Sequence, residues 1–306
     1  MLALAGTACT ASGCSAPRPV ADAGRPAIVV GSFDFPESVM LAYLYADALA
    51  DRGYPVRVLP GLGTRELVDP ALMAGLLQLV PEYTGSALEF VSLGRVRATS
   101  STVATAGALA MAIAGRGLIT GRPAAAQDGN AIVVTAATAA RYRLRRISDL
   151  IPVADRLVFG GPPECPERAY CLSGLRMTYG VQFRKFVQLD AGGPLTRQAL
   201  AAGDINVALL FTTDPVIKTQ HLVVLTDDRG LQPAENVIPV LRRVTVGRYG
   251  AGLLAVLDAV SARLTTGGLA ALDADVEQGG GEPRTVADRW LRAEGLARPG
   301  RTGAAA

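Results

Sequence analysis

The sequence predicts an α/β protein with a parallel-rich sheet, on three observations. Apolar runs of three to five residues, such as Ala27–Val30, Ile132–Val134 and Val207–Phe211, recur along the chain and have the length and continuity of buried strands. Segments with helical spacing of apolar residues lie between them. Glycine or proline turns, among them Gly61-Leu62-Gly63-Thr64 and Pro81-Glu82-Tyr83-Thr84-Gly85, follow strands and open helices. Strands that alternate with helices belong to parallel sheets, and the carboxyl ends of such strands are where ligands sit, because backbone N–H groups and helix N-termini converge there.

Taken in order, residues 15–26, SAPRPVADAGRP, have the composition of a tether. Ala27–Val30 is the first buried strand. Asp34 is expected to cap the next helix, with Glu37 completing a capping box and Pro36 in the first turn, where its missing N–H costs nothing. Met40, Leu44 and Ala48 form that helix's inner stripe and Gly53 closes it. Val56–Leu59 is a second strand, Arg65–Ala74 a helix, Leu77–Val80 a third strand, and Ser86 with Glu89 a capping box for another helix. Thr102–Ala114 is an alanine-rich helix and Leu118–Thr120 a short strand. After Pro123 an extended crossover enters a second unit through the strand Ile132–Val134, followed by strands Leu157–Phe159, Phe186–Leu189 and Val207–Phe211 with helices between them. Beyond Asp227-Asp228 the chain returns through Val237–Val240 and ends in helices at Gly252–Leu264, Leu269–Gln278 and Pro283–Leu296.

At 306 residues and 50% hydrophobic content, the chain can bury the cores of two ordinary domains. Its formal net charge is only +3 and its arginines are scattered among acids, so no nucleic-acid partner is predicted. No catalytic constellation emerges. His221 is the only histidine, no Gly-x-Ser-x-Gly or P-loop occurs, and Glu66 stands where Gly61 and Gly63 would need a third glycine for a dinucleotide site. Neither cofactor nor metal is expected. The first fourteen residues, MLALAGTACTASGC, look like the tail of an export signal without its positive n-region. Ala11-Ser12-Gly13-Cys14 resembles a bacterial lipobox, which makes Cys14 the expected lipidation site; Cys9 fits less well, and a frayed terminus with two incidental cysteines is the alternative. Cys165 and Cys171, in the loop GGPPECPERAYCLSG, form the close pair of a disulfide in an exported chain. Zinc is the rival reading and lacks further ligands.

The segments GSFDFPES, GLGT, PEYTGSAL, DGNAIVV, RISDL, FTTDP and LVVLTDD together resemble the substrate-binding proteins of osmoprotectant ABC importers, which capture glycine betaine, choline and related compounds. The resemblance covers nearly all of the chain after residue 26. It implies a two-lobed, type II periplasmic-binding-protein fold: residues 26–127 with 238–298 as one domain, 128–237 as the other, a two-stranded hinge between them and the ligand in the cleft. Residues 1–25 and 299–306 would then be a signal remnant with tether and a tail. It also implies an extracytoplasmic, lipid-anchored monomer that hands its ligand to an importer permease, not an enzyme.

The family holds quaternary ammonium heads in boxes of aromatic rings, whose π-faces attract a diffuse cation. Tyr83 matches one box position, whereas Asn130, Arg197 and Glu235 stand where further tyrosines are usual. That pattern leaves one aromatic and predicts weak binding of glycine betaine, with a polyol, glycoside or phenolic compound as the alternative ligand. Arg197 would hold a carboxylate and Glu235 a cation or hydroxyl, or the two would pair across the cleft. The remaining positions implied by motif are Ser32, Phe33, Asp34, Phe35, Thr64, Thr84, Asp128, Thr213 and Asp214. A secreted enzyme or a sensor domain using the same cleft is the rival class.

Overall fold

In the computed structural model, which describes residues 25–277 and 279–298, the chain builds two five-stranded sheets and crosses between them twice. Strands β1 (Ile28–Gly31), β2 (Val56–Leu59), β3 (Leu79–Tyr83) and β4 (Leu118–Thr120) come first. The chain then lays down β5 (Asn130–Val134), β6 (Val158–Gly161), β7 (Lys185–Gln188), β8 (Val207–Phe211) and β9 (Val223–Val224), and returns with β10 (Val237–Arg242). The first sheet has the order β2-β1-β3-β10-β4 and the second β7-β6-β8-β5-β9. Within each, the central strands are parallel, β1 to β2 and β3, and β6 to β7 and β8. The strands next to the crossovers, β10 and β5, run antiparallel to their neighbours. Cys9, Cys14 and the tail from residue 299 lie outside the described residues.

Helices flank the sheets: α1 (Pro36–Asp51), α2 (Arg65–Ala74), α3 (Thr84–Ser92) and α4 (Thr102–Ala114) in the first lobe, then α5 (Ala136–Tyr142), α6 (Leu172–Gly174), α7 (Pro194–Ala202) and α8 (Val216–Thr219) in the second. After β10 come α9 (Arg243–Tyr249), α10 (Gly252–Ser261), α11 (Thr266–Glu277) and α12 (Pro283–Ala293), all packed on the first lobe. Helix α1 is that lobe's keystone, touching β1–β3 and also α10–α12. Met40, Leu41, Leu44 and Leu49 are fully buried on it, each contributing about 1.5–3 kcal/mol of transfer free energy. Its one buried phenol, Tyr45, meets the Ser261 hydroxyl at 2.9 Å, which satisfies the group that burial would otherwise penalise. Among the described residues, no single helix is long and apolar enough to cross a membrane.

The crossings pair with each other. Gln127 and Asn236 form an antiparallel bridge, flanked by hydrogen bonds from Ala124 N–H to Val237 O (2.8 Å), Val237 N–H to Ala126 O (3.0 Å) and Asp128 N–H to Glu235 O (3.0 Å). This two-stranded segment is the hinge.

Local expectations fail where tertiary contacts override them. Strand β3 runs to Tyr83 instead of stopping at Val80, because β10 pairs along it with Val237 opposite Tyr83 and Pro239 opposite Pro81. The opposed prolines donate nothing to each other, and Pro239 turns its carbonyl to the other side, where it accepts the Gly121 N–H at 2.9 Å. Helix α3 therefore starts at Thr84, two residues before the expected Ser86–Glu89 box. The Asp34–Glu37 capping box does not form either. Phe35 is the N-cap of α1 and makes no side-chain cap, Asp34 is exposed, and Glu37 turns inward. Helix α9, not expected, begins directly at the end of β10 and contains β-branched residues that give a weak helical signal.

Candidate functional site

The carboxyl ends of three neighbouring strands deliver the first lobe's share of the cleft. Phe33, Asp34 and Phe35 follow β1, Thr64 and Arg65 follow β2, and Tyr83, Ser86 and Glu89 come from the end of β3 and the first turns of α3. The turn before Thr64 needs its glycines, since Gly61 and Gly63 have φ of 62° and 125°, a region that side chains disfavour. Across the cleft stand Asp128 and Asn130 at the start of β5, the loop from Pro162 to Cys171 after β6, Ala191 after β7, and Leu209 and Phe211 on β8. Glu235 of the hinge closes the floor. Together they enclose a cavity of ≈ 120 Å³.

Aromatic rings form its walls. Phe35 sits at the centre, with ring centroids 5.9 Å from Phe33, 6.1 Å from Tyr83 and 5.5 Å from Phe211 of the opposite lobe. Tyr170 adds a fifth aromatic lining residue. The expectation of a box reduced to a single ring is thereby corrected. Counting aromatics only at the positions matched to Asn130, Arg197 and Glu235 missed rings that reach the same space from other positions. Phe33 and Phe35 were themselves expected at the site from GSFDFPES; the rings not expected are Phe211, which opens FTTDP, and Tyr170, which lies between the paired cysteines.

The carboxylates divide by how fully they are engaged. Glu235 is bonded by the N-terminus of α3: Oε2 accepts the N–H groups of Gly85 (2.9 Å) and Ser86 (3.0 Å), and Oε1 the Ser86 hydroxyl (2.6 Å). Burial nevertheless pushes its carboxyl up to about 7. Asp128 Oδ1 accepts the Thr213 N–H at 3.0 Å and the Thr212 hydroxyl at 3.2 Å. Glu164 differs, because its Oε2 is buried without a hydrogen-bond partner. The two cations in the lining are already matched. Arg65 grips Glu82 in a fork of 2.8 and 3.0 Å while its guanidinium lies 4.8 Å above the Phe33 ring. Arg168 reaches across the cleft mouth to Glu66 at 2.8 Å.

Of the residues expected from the sequence, Phe33, Asp34, Phe35, Thr64, Tyr83, Asp128, Asn130 and Glu235 line the cavity. Asn130 uses its Nδ2 on the Tyr170 carbonyl at 3.0 Å. The other five stand behind the wall. The Ser32 hydroxyl donates to Phe33 O (2.9 Å) and accepts from Gly61 N–H (2.8 Å), which ties two strand-end loops together. Thr84 Oγ1 bridges the hinge, donating to Ala234 O (2.9 Å) and accepting from Asn236 N–H (3.1 Å). Thr213 donates to Glu37 of α1 at 3.0 Å. Arg197 pairs with Asp214 at 3.0 Å and with Glu277 of α11, so it neither meets Glu235 nor faces the cavity. Asp214 follows β8 of the second sheet, whereas Glu277 ends α11, which packs against α1 beside the first. Burial raises Asp214 to about 6 despite that pairing.

The paired cysteines are bonded. Cys165 and Cys171 form a disulfide with Cα atoms 5.3 Å apart, and both line the cavity. The loop packs tightly, since a Cβ on Gly174 would lie 1.8 Å from the Ala169 carbonyl oxygen. Among the described residues, no group of three His, Cys, Asp or Glu side chains is disposed to hold a metal.

Comparison with known proteins places this geometry in context. A family profile described as the substrate binding domain of ABC-type glycine betaine transport system matches residues 26–293. A glycine-betaine-binding protein of Pseudomonas aeruginosa is 28% identical over 285 residues, covering 90% of each chain. The ergothioneine transport permease/ergothioneine binding protein EgtU of Helicobacter pylori is 25% identical over 282 residues, covering 88% of this chain and 48% of that protein. Among solved structures, a glycine betaine/carnitine/choline ABC transporter protein superposes with a TM-score of 0.69 at 20% identity, over 88% of this chain and 99% of the other.

Proposed function

The chain belongs to the family of substrate-binding domains of ABC-type glycine betaine transport systems, and from that premise we propose that it captures a small quaternary-ammonium osmolyte of the glycine betaine type between its lobes. Members of the family are extracytoplasmic solute-binding proteins, not enzymes, that serve ABC importers, and the chain has their two-lobed type II fold. The proposed lobes are residues 26–127 with 238–298, and 128–237. Its partner is then an importer permease, which recognises the closed form. Lipid anchoring through Cys14 and a monomeric state complete the proposal.

The observation that carries the ligand class is the ring cluster around Phe35 in a cavity whose unspent charge is negative. Arg65 and Arg168 are already paired, which leaves Glu164 and the exposed Asp34 facing a guest. A cation that donates no hydrogen bonds gains about 0.5–2 kcal/mol from each ring face it meets. A hydroxylated ligand is the second reading, favoured by the unfilled acceptor on Glu164.

Calorimetry with glycine betaine, choline, sorbitol and glucose separates the two. Two ring faces at about 1.4 kcal/mol each give the quaternary amines an advantage of roughly a hundredfold over the polyols. Equal or tighter binding of sorbitol would transfer the assignment to the hydroxylated class.

A further inference from the structure

We propose that Glu37 is a positioning residue that couples closure of the two lobes to the placement of Tyr83 in the ligand-facing wall, and that closure takes up a proton there. The inference deepens the reading of the cleft as a capture site and rests on it. Glu37 sits in the first turn of α1, where an acid ordinarily caps or faces water, yet it is only 6% exposed. Its Oε1 accepts the hydroxyl of Tyr83, a cavity wall, and its Oε2 accepts the Thr213 hydroxyl from the opposite lobe at 3.0 Å. One carboxyl group therefore touches both the ligand wall and the seam between the lobes.

Among the described residues, the groups around it supply no free cation. From α11 come Asp273, whose carboxyl meets that of Glu37, and Glu277; from the crossover comes Asp128; from the loop after β8 come Thr213 and Asp214; from α7 comes Arg197. Arg197 is spent on Asp214 and Glu277. Glu37, Asp273 and Asp128 are each less than a tenth exposed, and Asp273 Oδ1 is buried with no hydrogen-bond partner. A proton held between Glu37 and Asp273 supplies the missing donor, since adjacent carboxylates in a dry seam do not both ionise. Burial, then the neighbouring Asp273, holds Glu37 well above the usual carboxylate range; burial brings Asp273 to about 7 and, with Glu37 beside it, also raises Asp128.

The sign follows from linkage. In an open cleft these groups face water and ionise near about 4, whereas the closed seam holds its proton up to about pH 7 or beyond. The contribution to affinity is fully present below the open-state value and is lost as pH rises through the closed-state value, by up to about tenfold per pH unit for one proton.

The test is calorimetric titration of the full chain with glycine betaine from pH 5 to 9, in buffers of different ionisation enthalpy. Glycine betaine has no group that titrates in this window, so proton uptake reports on the protein. Wild-type affinity should fall between pH 5 and 7.5 with uptake of about one proton. Glu235 and Asp214 also titrate in this range, so the decisive quantity is the difference between variants. Glu37→Gln keeps an acceptor for one of the two hydroxyls and puts a fixed amide donor where the shared proton stood, with nothing left to titrate at that position, and should flatten the profile to what the remaining groups contribute. Thr213→Ala should weaken binding while keeping the slope. A wild-type profile that is level from pH 5 to 8, or a Glu37→Gln profile as steep as wild type, overturns the proposal. Should glycine betaine bind at no pH, the ligand reading fails, and solution scattering still tests this one: the ligand-free protein should be more compact at pH 5.5 than at pH 8.5, and unchanged dimensions overturn it.

Discussion

Tyr83 and Glu235 show how a single residue's partners decide its meaning. Both line the cavity, yet Glu235 already has three donors from the start of α3, while the ring of Tyr83 stands beside Phe35, which also meets Phe33 and Phe211. The two kinds of residue should respond differently to truncation. Glu235→Ala strips the cap from α3 and should lower stability by about 1–3 kcal/mol with or without ligand. Phe211→Ala should cost roughly tenfold in affinity for a quaternary amine, the worth of one face, with a smaller change in melting temperature. Thermal melts and calorimetry on the two variants check this, and a Phe211→Ala protein that binds as tightly as wild type would remove the ring from the site. Tyr83 was expected at the cleft from PEYTG, and it lines the cavity. The functions of Glu37 and Glu235 were not, because their partners, Thr213, Gly85 and Ser86, are 149 or more positions distant in sequence.

At the scale of the element, the segment from Pro162 to Cys171 is both wall and clasp. The Tyr170 carbonyl accepts from Asn130 and from Gln232, each at 3.0 Å, and Arg168 crosses to Glu66 and lies 5.9 Å over the Phe90 ring of α3. The disulfide fixes this conformation at both ends of a short loop. Closing so small a loop is worth roughly 2 kcal/mol on a chain-entropy basis, which for a chain of this size is about 3 °C in Tm. The Cys165→Ser/Cys171→Ser variant should therefore stay folded, melt a few degrees lower and bind ligand more weakly, because the wall and the Arg168 clasp lose their fixed geometry. Scanning fluorimetry with and without glycine betaine measures both effects. Unchanged affinity would show that the loop holds its shape without the bond. The pairing itself was readable from spacing, whereas the loop's place in the cavity depended on where β6 ends.

For the whole molecule, burial of acids sets the pH response. Glu37, Asp69 and Asp128 are held well above their ordinary range by burial, and Glu235 and Asp273 lie near 7. Groups raised on folding contribute stability that is fully present below about 4 and is lost as pH climbs through their folded values. Glu66, Asp149 and Asp228 are lowered instead, and their contribution disappears in acid. The balance predicts a maximum of thermal stability between roughly pH 4.5 and 6, with a decline toward pH 8; melts across pH 4–9 test it, and a maximum above pH 8 would contradict it. By itself, the sequence determined the α/β class and most strand positions, since these follow from apolar periodicity and turn residues within short windows; the split into two lobes with a return crossing was implied by the family resemblance of the motifs. The motifs from GSFDFPES to FTTDP further placed the cleft at the strand ends. Only the tertiary structure decided which side chains share the cavity, that Arg197 pairs with Asp214 and Glu277, and that Glu37 leaves the helix cap for Tyr83 and Thr213. The physical reason is that periodicity reports a residue's burial from its neighbours in the chain, whereas a carboxylate's role depends on donors brought to it from the other lobe.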